Sequence, residues 1–257
     1  MRVDGKVVLI TGASEGIGAA CASEFARCGA KLSLTARNEA GLARAGGPDA
    51  LITPGDLTDP ATRKRAVDRT LERFGVIDIL INNAGVGLYA PTWRAPMDET
   101  RRMWEVNYFA LLGMIQEVVP HMRARRSGTV VNVSSIGGKL TLPWLTLYSS
   151  TKSAVVSLTE GLRMELMRDN VQTMLVCPGY VRTAFQQNTL GGGPPSDVQR
   201  ARRMAITPEQ CATDIRRGVE RGARTVLSPA SGWLLVALSK IFPGETQRRM
   251  AAMVGPQ

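Results

Sequence analysis

The sequence TGASEGIG, Thr11 to Gly18, follows directly on the apolar run KVVLI and sets glycines at 12, 16 and 18. No other stretch narrows so far what the chain can become. Glycine permits backbone conformations and close approaches that are closed to other residues. A strand passing into a helix here must therefore either turn tightly or admit a ligand against its main chain. A helix N-terminus offers free N–H groups and the positive end of a dipole to a phosphate. The glycines alone do not separate these readings, and their spacing is GxxxGxG rather than the common GxGxxG.

The remainder of the chain bears on that choice. After KVVLI (6–10), Ile17, Ala20, Cys21, Phe25 and Cys28 form an apolar stripe at helical spacing, closed by Gly29 as a C-terminal cap. KLSLTAR (31–37), ALIT (50–53), IDILINN (77–83), TVVNVSS (129–135), VQTMLVC (171–177) and TVLS (225–228) read as further strands. Asp59 caps a helix with Pro60 in its first turn, running to Phe74–Gly75. Nearly all-apolar strands separated by helices predict an α/β fold: a Rossmann-like, doubly wound, seven-stranded parallel sheet with helices on both faces. Ligands of such sheets bind beyond the carboxyl ends of the strands. TGASEGIG, TAR, GDL, NNAG, VSS and PGY all fall there, which favours the phosphate loop.

With 257 residues, 44% of them apolar, and no linker or repeat, the chain is expected to form a single domain over 1–257. The first apolar run is too short for a signal-peptide core, and no stretch reaches the length of a membrane span. Cys21, Cys28, Cys177 and Cys211 show no metal-ligand spacing. A reduced, cytoplasmic protein without a metal site is expected. The net charge of +10 comes largely from scattered pairs such as Arg101/Arg102 and Arg248/Arg249. That pattern reads as a solvated surface rather than a nucleic-acid-binding stripe.

Five motifs in order, TGxxxGIG, NNAG, a serine after the fifth strand, YxxxK and PG, resemble the short-chain dehydrogenase/reductase family, in its short single-domain branch. The likeness runs from about Lys6 to Thr183. It implies NAD(P)-dependent interconversion of a carbonyl and an alcohol. Tyr148 and Lys152, in YSSTK, match the proton donor and its partner, and four-residue spacing puts both on one helix face. An ammonium about 4 Å from a phenolate would lower the phenol's pKa by up to about three units. Ser135, thirteen residues before Tyr148, matches the family's serine, with Ser134 as the competing candidate. Asn107 in WEVNYF matches the asparagine of the proton relay, although a solvent-facing asparagine is an alternative. His121 reads as a surface residue without a catalytic role.

The same resemblance sets the cofactor expectations. Gly12, Ser14, Gly16, Ile17 and Gly18 would hold the pyrophosphate, while Asp56, Leu57, Asn83, Ala84 and Gly85 would line the adenosine. Pro178, Gly179, Val181 and Thr183 match the segment that holds the nicotinamide carboxamide, and Tyr148 and Lys152 would also meet the cofactor. Where NAD-preferring members carry an acid at the end of the second strand, this chain has Ala36, then Arg37 and Asn38. An arginine suits a 2′-phosphate that an aspartate would repel, so NADP(H) is expected, with NAD(H) as the second choice. Glu15 departs from the basic residue that many NADP-binding relatives place in the glycine loop.

Substrate identity is less legible. Residues 184–206 read as a mobile substrate lid. Tyr89, Trp93, Leu140, Leu142, Trp144, Leu145, Tyr180 and Phe185 are expected around the pocket, favouring a hydrophobic ketone or aldehyde. The tail, 229–257, looks more like the steroid- and retinol-type reductases than the ketoacyl reductases. Its segment WLLVALSKIF reads first as a subunit contact or core helix and second as an interfacial membrane element. The family implies a homodimer or homotetramer, with long helices at 98–126 and 148–168 as interface candidates. The alternative function is a nucleotide-binding sensor that keeps the fold without turnover.

Overall fold

The computed structural model describes residues 2–191 and 205–252. Seven strands form one sheet: β1 (Val7–Thr11), β2 (Lys31–Ala36), β3 (Leu51–Pro54), β4 (Ile79–Asn82), β5 (Gly128–Val133), β6 (Val171–Pro178) and β7 (Thr225–Ser228). Their order is β3-β2-β1-β4-β5-β6-β7, and every pairing is parallel. The helices are α1 (Gly16–Arg27), α2 (Glu39–Gly46), α3 (Pro60–Phe74), α4 (Met97–Trp104), α5 (Ala110–Arg125), α6 (Thr146–Glu165), α7 (Pro208–Glu220), α8 (Gly232–Ile241) and α9 (Pro243–Ala252).

Alternation along the strands divides the core. Val8, Ile10, Ile79, Ile81, Val131 and Val133 pack with Cys21 and Phe25 of α1 and Cys211, Ile215 and Val219 of α7. Leu9, Leu80 and Val130 face the other way, onto Val67 of α3, Met114 and Val118 of α5, and Val155 and Leu162 of α6. A side-chain period of two sends neighbouring residues to opposite faces. Each fully buried Leu or Ile stabilises the fold by about 1.5–3 kcal/mol relative to exposure. All four cysteines are free thiols, with Cys21 buried in this core and Cys28 partly so.

Local signals explain several boundaries. The Asp59 side chain accepts from the N–H groups of Ala61 and Thr62, Pro60 occupies the first helical position, and Gly75 ends α3 in a left-handed conformation. The long helix expected over 98–126 departs from a regular α-helix. A π-helical turn at Glu105–Phe109 separates α4 from α5, and it carries Asn107. Its neighbour α6 runs Thr146–Glu165 rather than 148–168, and Asn170, at φ 55°, closes the 3₁₀ turn that follows. Of the expected lid, residues 192–204 lie outside the described residues. The remainder forms a short 3₁₀ turn at Ala184–Gln186, a bridge from Leu190 to Leu88 and one from Ile206 to Val181.

A buried polar ladder ties the sheet to α6. The Asn82 amide donates to Asn132 Oδ1 at 3.0 Å, and the Asn132 amide donates to Thr159 Oγ1 at 3.0 Å. All three residues are buried. Asn132→Ala strands the buried Asn82 amide, at about 1–3 kcal/mol, while the Thr159 hydroxyl keeps its bond to the Val155 carbonyl. The substitution is expected to lower stability by about 1–3 kcal/mol, read as a fall in denaturant midpoint at constant slope.

Candidate active site

The sheet reverses its strand order between β1 and β4, and there the two chains nearly touch. A Cβ on Gly12 would lie 2.8 Å from Ala84 Cα, and Gly12 has φ 63°. Only glycine meets both demands. The Thr11 hydroxyl accepts from the backbone N–H groups of Asn83 and Ala84, while the Asn83 amide donates to the carbonyls of Thr11 and Gly12. Asn83 thus braces the glycine loop as well as bordering the cavity. Gly18 does not line the cavity; a Cβ there would fall 2.2 Å from the Gly12 carbonyl oxygen, so it permits the close seating of α1. Gly16 opens α1, and no side chain caps that helix. Its first N–H groups therefore lack a side-chain acceptor.

Beyond the strand ends lies a cavity of about 2490 Å³. Typical small-molecule pockets span about 300–1,000 Å³, so this one has room for a dinucleotide and a second molecule. Gly12, Ser14, Gly16 and Ile17 border it at the loop, Arg37 and Asn38 at the end of β2, and Asp56 and Leu57 after β3. Asn83, Ala84 and Gly85 border it after β4, and Pro178, Gly179, Val181 and Thr183 after β6. A Cβ on Gly16 would meet Thr183 at 3.2 Å, so the segment after β6 overhangs the glycine loop. Asn188 extends that overhang by donating to Glu15 Oε1 at 2.7 Å. The carboxylate that breaks the family pattern has a partner 173 residues away.

At the β2 end, burial pushes the Asp56 carboxyl up. Hydrogen bonds from the backbone and hydroxyl of Thr58, with the charges of Arg37 and Arg102, outweigh it and hold the group below its ordinary range. Arg102, on α4, also borders the cavity. Sequence reasoning placed it among the scattered surface arginines, because nothing in its local spacing shows that α4 returns to the cavity near Asp56.

Tyr148, Lys152 and Ser135 meet at the other end of the cavity. Ser134 is buried, and its hydroxyl donates to the Lys152 carbonyl at 2.8 Å. Ser135 Oγ accepts from Gly137 N at 3.0 Å and shares a hydrogen bond with the Tyr148 phenol. Both serines border the cavity, but only Ser135 bonds to the phenol. Lys152 Nζ donates to the Val133 carbonyl at 3.0 Å and lies 5.8 Å from the Tyr148 ring centre. The expected depression of the phenol is reversed in this structure. Burial raises the Tyr148 pKa, against the opposing bond from Ser135, and Tyr89 and Cys177 add to the rise. Burial also brings the Lys152 ammonium down to about 8.

Asn107 is fully buried, which removes the solvent-facing alternative. Its amide donates to the Val86 carbonyl and to Thr151 Oγ1, and its Oδ1 accepts from Val86 N. Asn107 does not line the cavity. It sits behind Gly85, where an added Cβ would lie 3.2 Å from both Asn107 Oδ1 and Lys152 Nζ. His121 is exposed, as read from sequence.

Of the expected apolar wall, Tyr89, Leu142, Leu145, Tyr180 and Phe185 border the cavity. Phe185 packs edge-on against Tyr148 at 5.6 Å. Leu140 instead joins a core cluster with Leu175 and Val236, and Trp144 packs beside Leu88 and Tyr89. Trp93 is 78% exposed and borders nothing in the site. Leu234, Leu235, Leu238 and Phe242 were missed as lining residues; their apolar run was visible, but its position over the cavity was not.

Residues 6–191 match the sequence profile described as short chain dehydrogenase. The chain belongs to the short-chain dehydrogenase/reductase family. A dehydrogenase/reductase SDR family protein 7-like from Anopheles gambiae is 34% identical over 239 residues, covering 88% of this chain and 75% of that one. Among solved structures, a family member from Burkholderia phymatum in complex with NAD superposes with a TM-score of 0.87 at 28% identity, covering 94% and 95% of the two chains. A short-chain dehydrogenase from Burkholderia cenocepacia in complex with NADP gives 0.81 at 28% identity over the full length of both.

The sign of the Lys152 shift yields a test. Between pH 8 and the ordinary lysine value the unfolded chain binds more protons, so this residue makes stability rise with pH. Tyr148, shifted upward, opposes that trend only above its ordinary pKa of about 10. From pH 8 to 10 the stability of wild type relative to Lys152→Met is expected to rise by about 2 kcal/mol. Paired denaturant titrations at the two pH values measure it.

Proposed function

We propose that this short-chain dehydrogenase/reductase interconverts a carbonyl compound and its alcohol, using NADP(H) in preference to NAD(H). The observation that carries the reading is the convergence of Ser135, Tyr148 and Lys152 at one end of a cavity whose other end is a glycine cradle. Space left by the absent Cβ groups at Gly12 and Gly16 and the uncapped start of α1 suit a pyrophosphate. The bound nicotinamide would supply or accept the hydride.

The chain's own residues handle the proton. Tyr148, with its pKa raised by burial, is protonated at neutral pH and can donate from its Oη to a carbonyl oxygen. Ser135, already hydrogen-bonded to that phenol, would hold the same oxygen. Proton donation leaves a phenolate, which the Ser135 bond and the Lys152 ammonium stabilise. An ammonium about 6 Å away at an effective dielectric near 20 contributes about 3 kcal/mol. That help is present while Lys152 is charged, below about pH 8. Asn107 would hold the relay behind Lys152. With both amide protons engaged, it can offer a water only the second lone pair of Oδ1 or its backbone.

Preference for NADP(H) is supported by Arg37 and Arg102, which border the cavity near enough for both charges to act on Asp56 and would offer donors to a 2′-phosphate. The apolar walls suit a hydrophobic ketone or aldehyde. A homo-oligomer through α5 and α6 is supported by exposed Phe109 and Met164 at those helices.

NADPH and NADH oxidation across a panel of ketones and aldehydes tests the reading. Tyr148→Phe should abolish turnover while both nucleotides still raise the melting temperature. Arg37→Ala and Arg102→Ala should each raise the KM for NADPH about tenfold or more and leave that for NADH within about twofold, as expected for lost charge-assisted bonds. Faster wild-type turnover with NADH would overturn the NADP(H) preference. Nucleotide binding without turnover of any carbonyl would favour the sensor.

A further inference from the structure

The helix α8 is apolar on almost every side, yet of its ten residues only Val236 is buried. A helix of that composition ordinarily lies inside a protein or against lipid, so the core-helix reading of this segment fails. At about 3.6 residues per turn, Val236 packs onto the body of the protein. Leu234, Leu235, Leu238 and Phe242 border the cavity, whereas Trp233 and Ile241 do not border it and are exposed. The two sets form one continuous apolar arc; Leu234 is 67%, Ile241 66% and Phe242 58% exposed.

We propose that the α8–α9 hairpin docks this protein on an anionic membrane surface. Charge selects that occupant over a second copy of the chain. The hairpin carries Lys240, Arg248 and Arg249 against Glu245 as the single carboxylate of α8 and α9, and Glu245 and Arg249 also border the cavity. Arg248 and Arg249 both pair with Glu245 but stay exposed, so the hairpin keeps a net positive charge. Another copy would bring the same positive hairpin and the same +10 net charge to the contact, whereas an anionic leaflet opposes both. The geometry is interfacial. Ten residues of helix reach about 15 Å, half of the ~30 Å hydrocarbon core. No described helix is long and apolar enough to cross a membrane. Trp233 is half-exposed outside the cavity lining, and tryptophan favours the headgroup boundary. Apolar burial and basic charge together are the two signals that a stable peripheral contact needs.

Docking so would turn the apolar wall of the cavity toward the lipid, giving hydrophobic substrates a path that avoids water. That consequence rests on the proposed carbonyl chemistry; the docking itself does not, and it is read without turnover. The test is flotation of the full chain with vesicles of phosphatidylcholine alone and of phosphatidylcholine mixed with phosphatidylserine. Wild type is expected on the mixed vesicles, with binding that falls as salt rises. Trp233→Glu/Ile241→Glu, at positions outside the cavity lining, should reduce the bound fraction about tenfold or more. Arg248→Gln/Arg249→Gln should reduce it about tenfold on mixed vesicles. Both variants should melt with wild type, and the arginine variant keeps the test decisive should the first not fold. Absence of binding to the mixed vesicles, or binding that the arginine variant leaves unchanged, overturns the proposal. So does sedimentation showing a wild-type dimer that Trp233→Glu/Ile241→Glu dissociates while no vesicle is bound, which would identify a second copy as the occupant.

Discussion

Everything at the site depends on two backbones that pass closer than a side chain allows. Because all seven strands are parallel, their carboxyl ends share one edge, and the order reverses between β1 and β4. At that reversal Gly12 meets Ala84 with no room for a Cβ. The Thr11 hydroxyl and the Asn83 amide then lock the two strand ends together. Opening this contact would shift α1 and the segment after β4 at once. Those two pieces form the floor of the cradle.

Burial does a different kind of work at the other end of the cavity. It raises the Tyr148 phenol and lowers the Lys152 ammonium, because a low-dielectric setting disfavours whichever form is charged. The tyrosine therefore keeps its proton until a reaction draws on it, and the lysine carries its charge close to the edge of neutrality. Ser135 opposes the rise by bonding to the phenol. The polar ladder through Asn82, Asn132 and Thr159 holds α6, which carries both Tyr148 and Lys152, against the sheet. Asn107 anchors the same helix through Thr151.

The two mouths of the cavity differ in chemistry. Arg37 and Arg102 set positive charge around Asp56 at one mouth, suited to a phosphorylated ribose. The far side is walled by leucines and Phe242 of the C-terminal hairpin, with Glu245 and Arg249 also on the lining. A nucleotide and an apolar molecule would thus approach from different sides and meet at Tyr148.

The alternation of apolar strands and helices was readable because burial on both sheet faces demands it residue by residue, and β7 falls at Thr225–Ser228 as read. The glycine loop and the tyrosine–lysine pair were readable for a similar reason: loop geometry and helical spacing are local constraints. Pairwise distance and solvent access were not. The sequence could not show that the lysine reaches the Val133 carbonyl rather than the phenol oxygen, or that burial would reverse the phenol's expected shift. Nor could it bring Arg102 to the cavity near Asp56, turn Trp93 into solvent, or leave α8 uncovered, since each follows from how distant elements pack. By itself the sequence determined the sheet, its glycine cradle and the shared helix face of Tyr148 and Lys152, because those are written in periodicity and spacing. Tertiary structure alone decided their protonation and the faces left open, because desolvation depends on neighbours that are far apart in the chain.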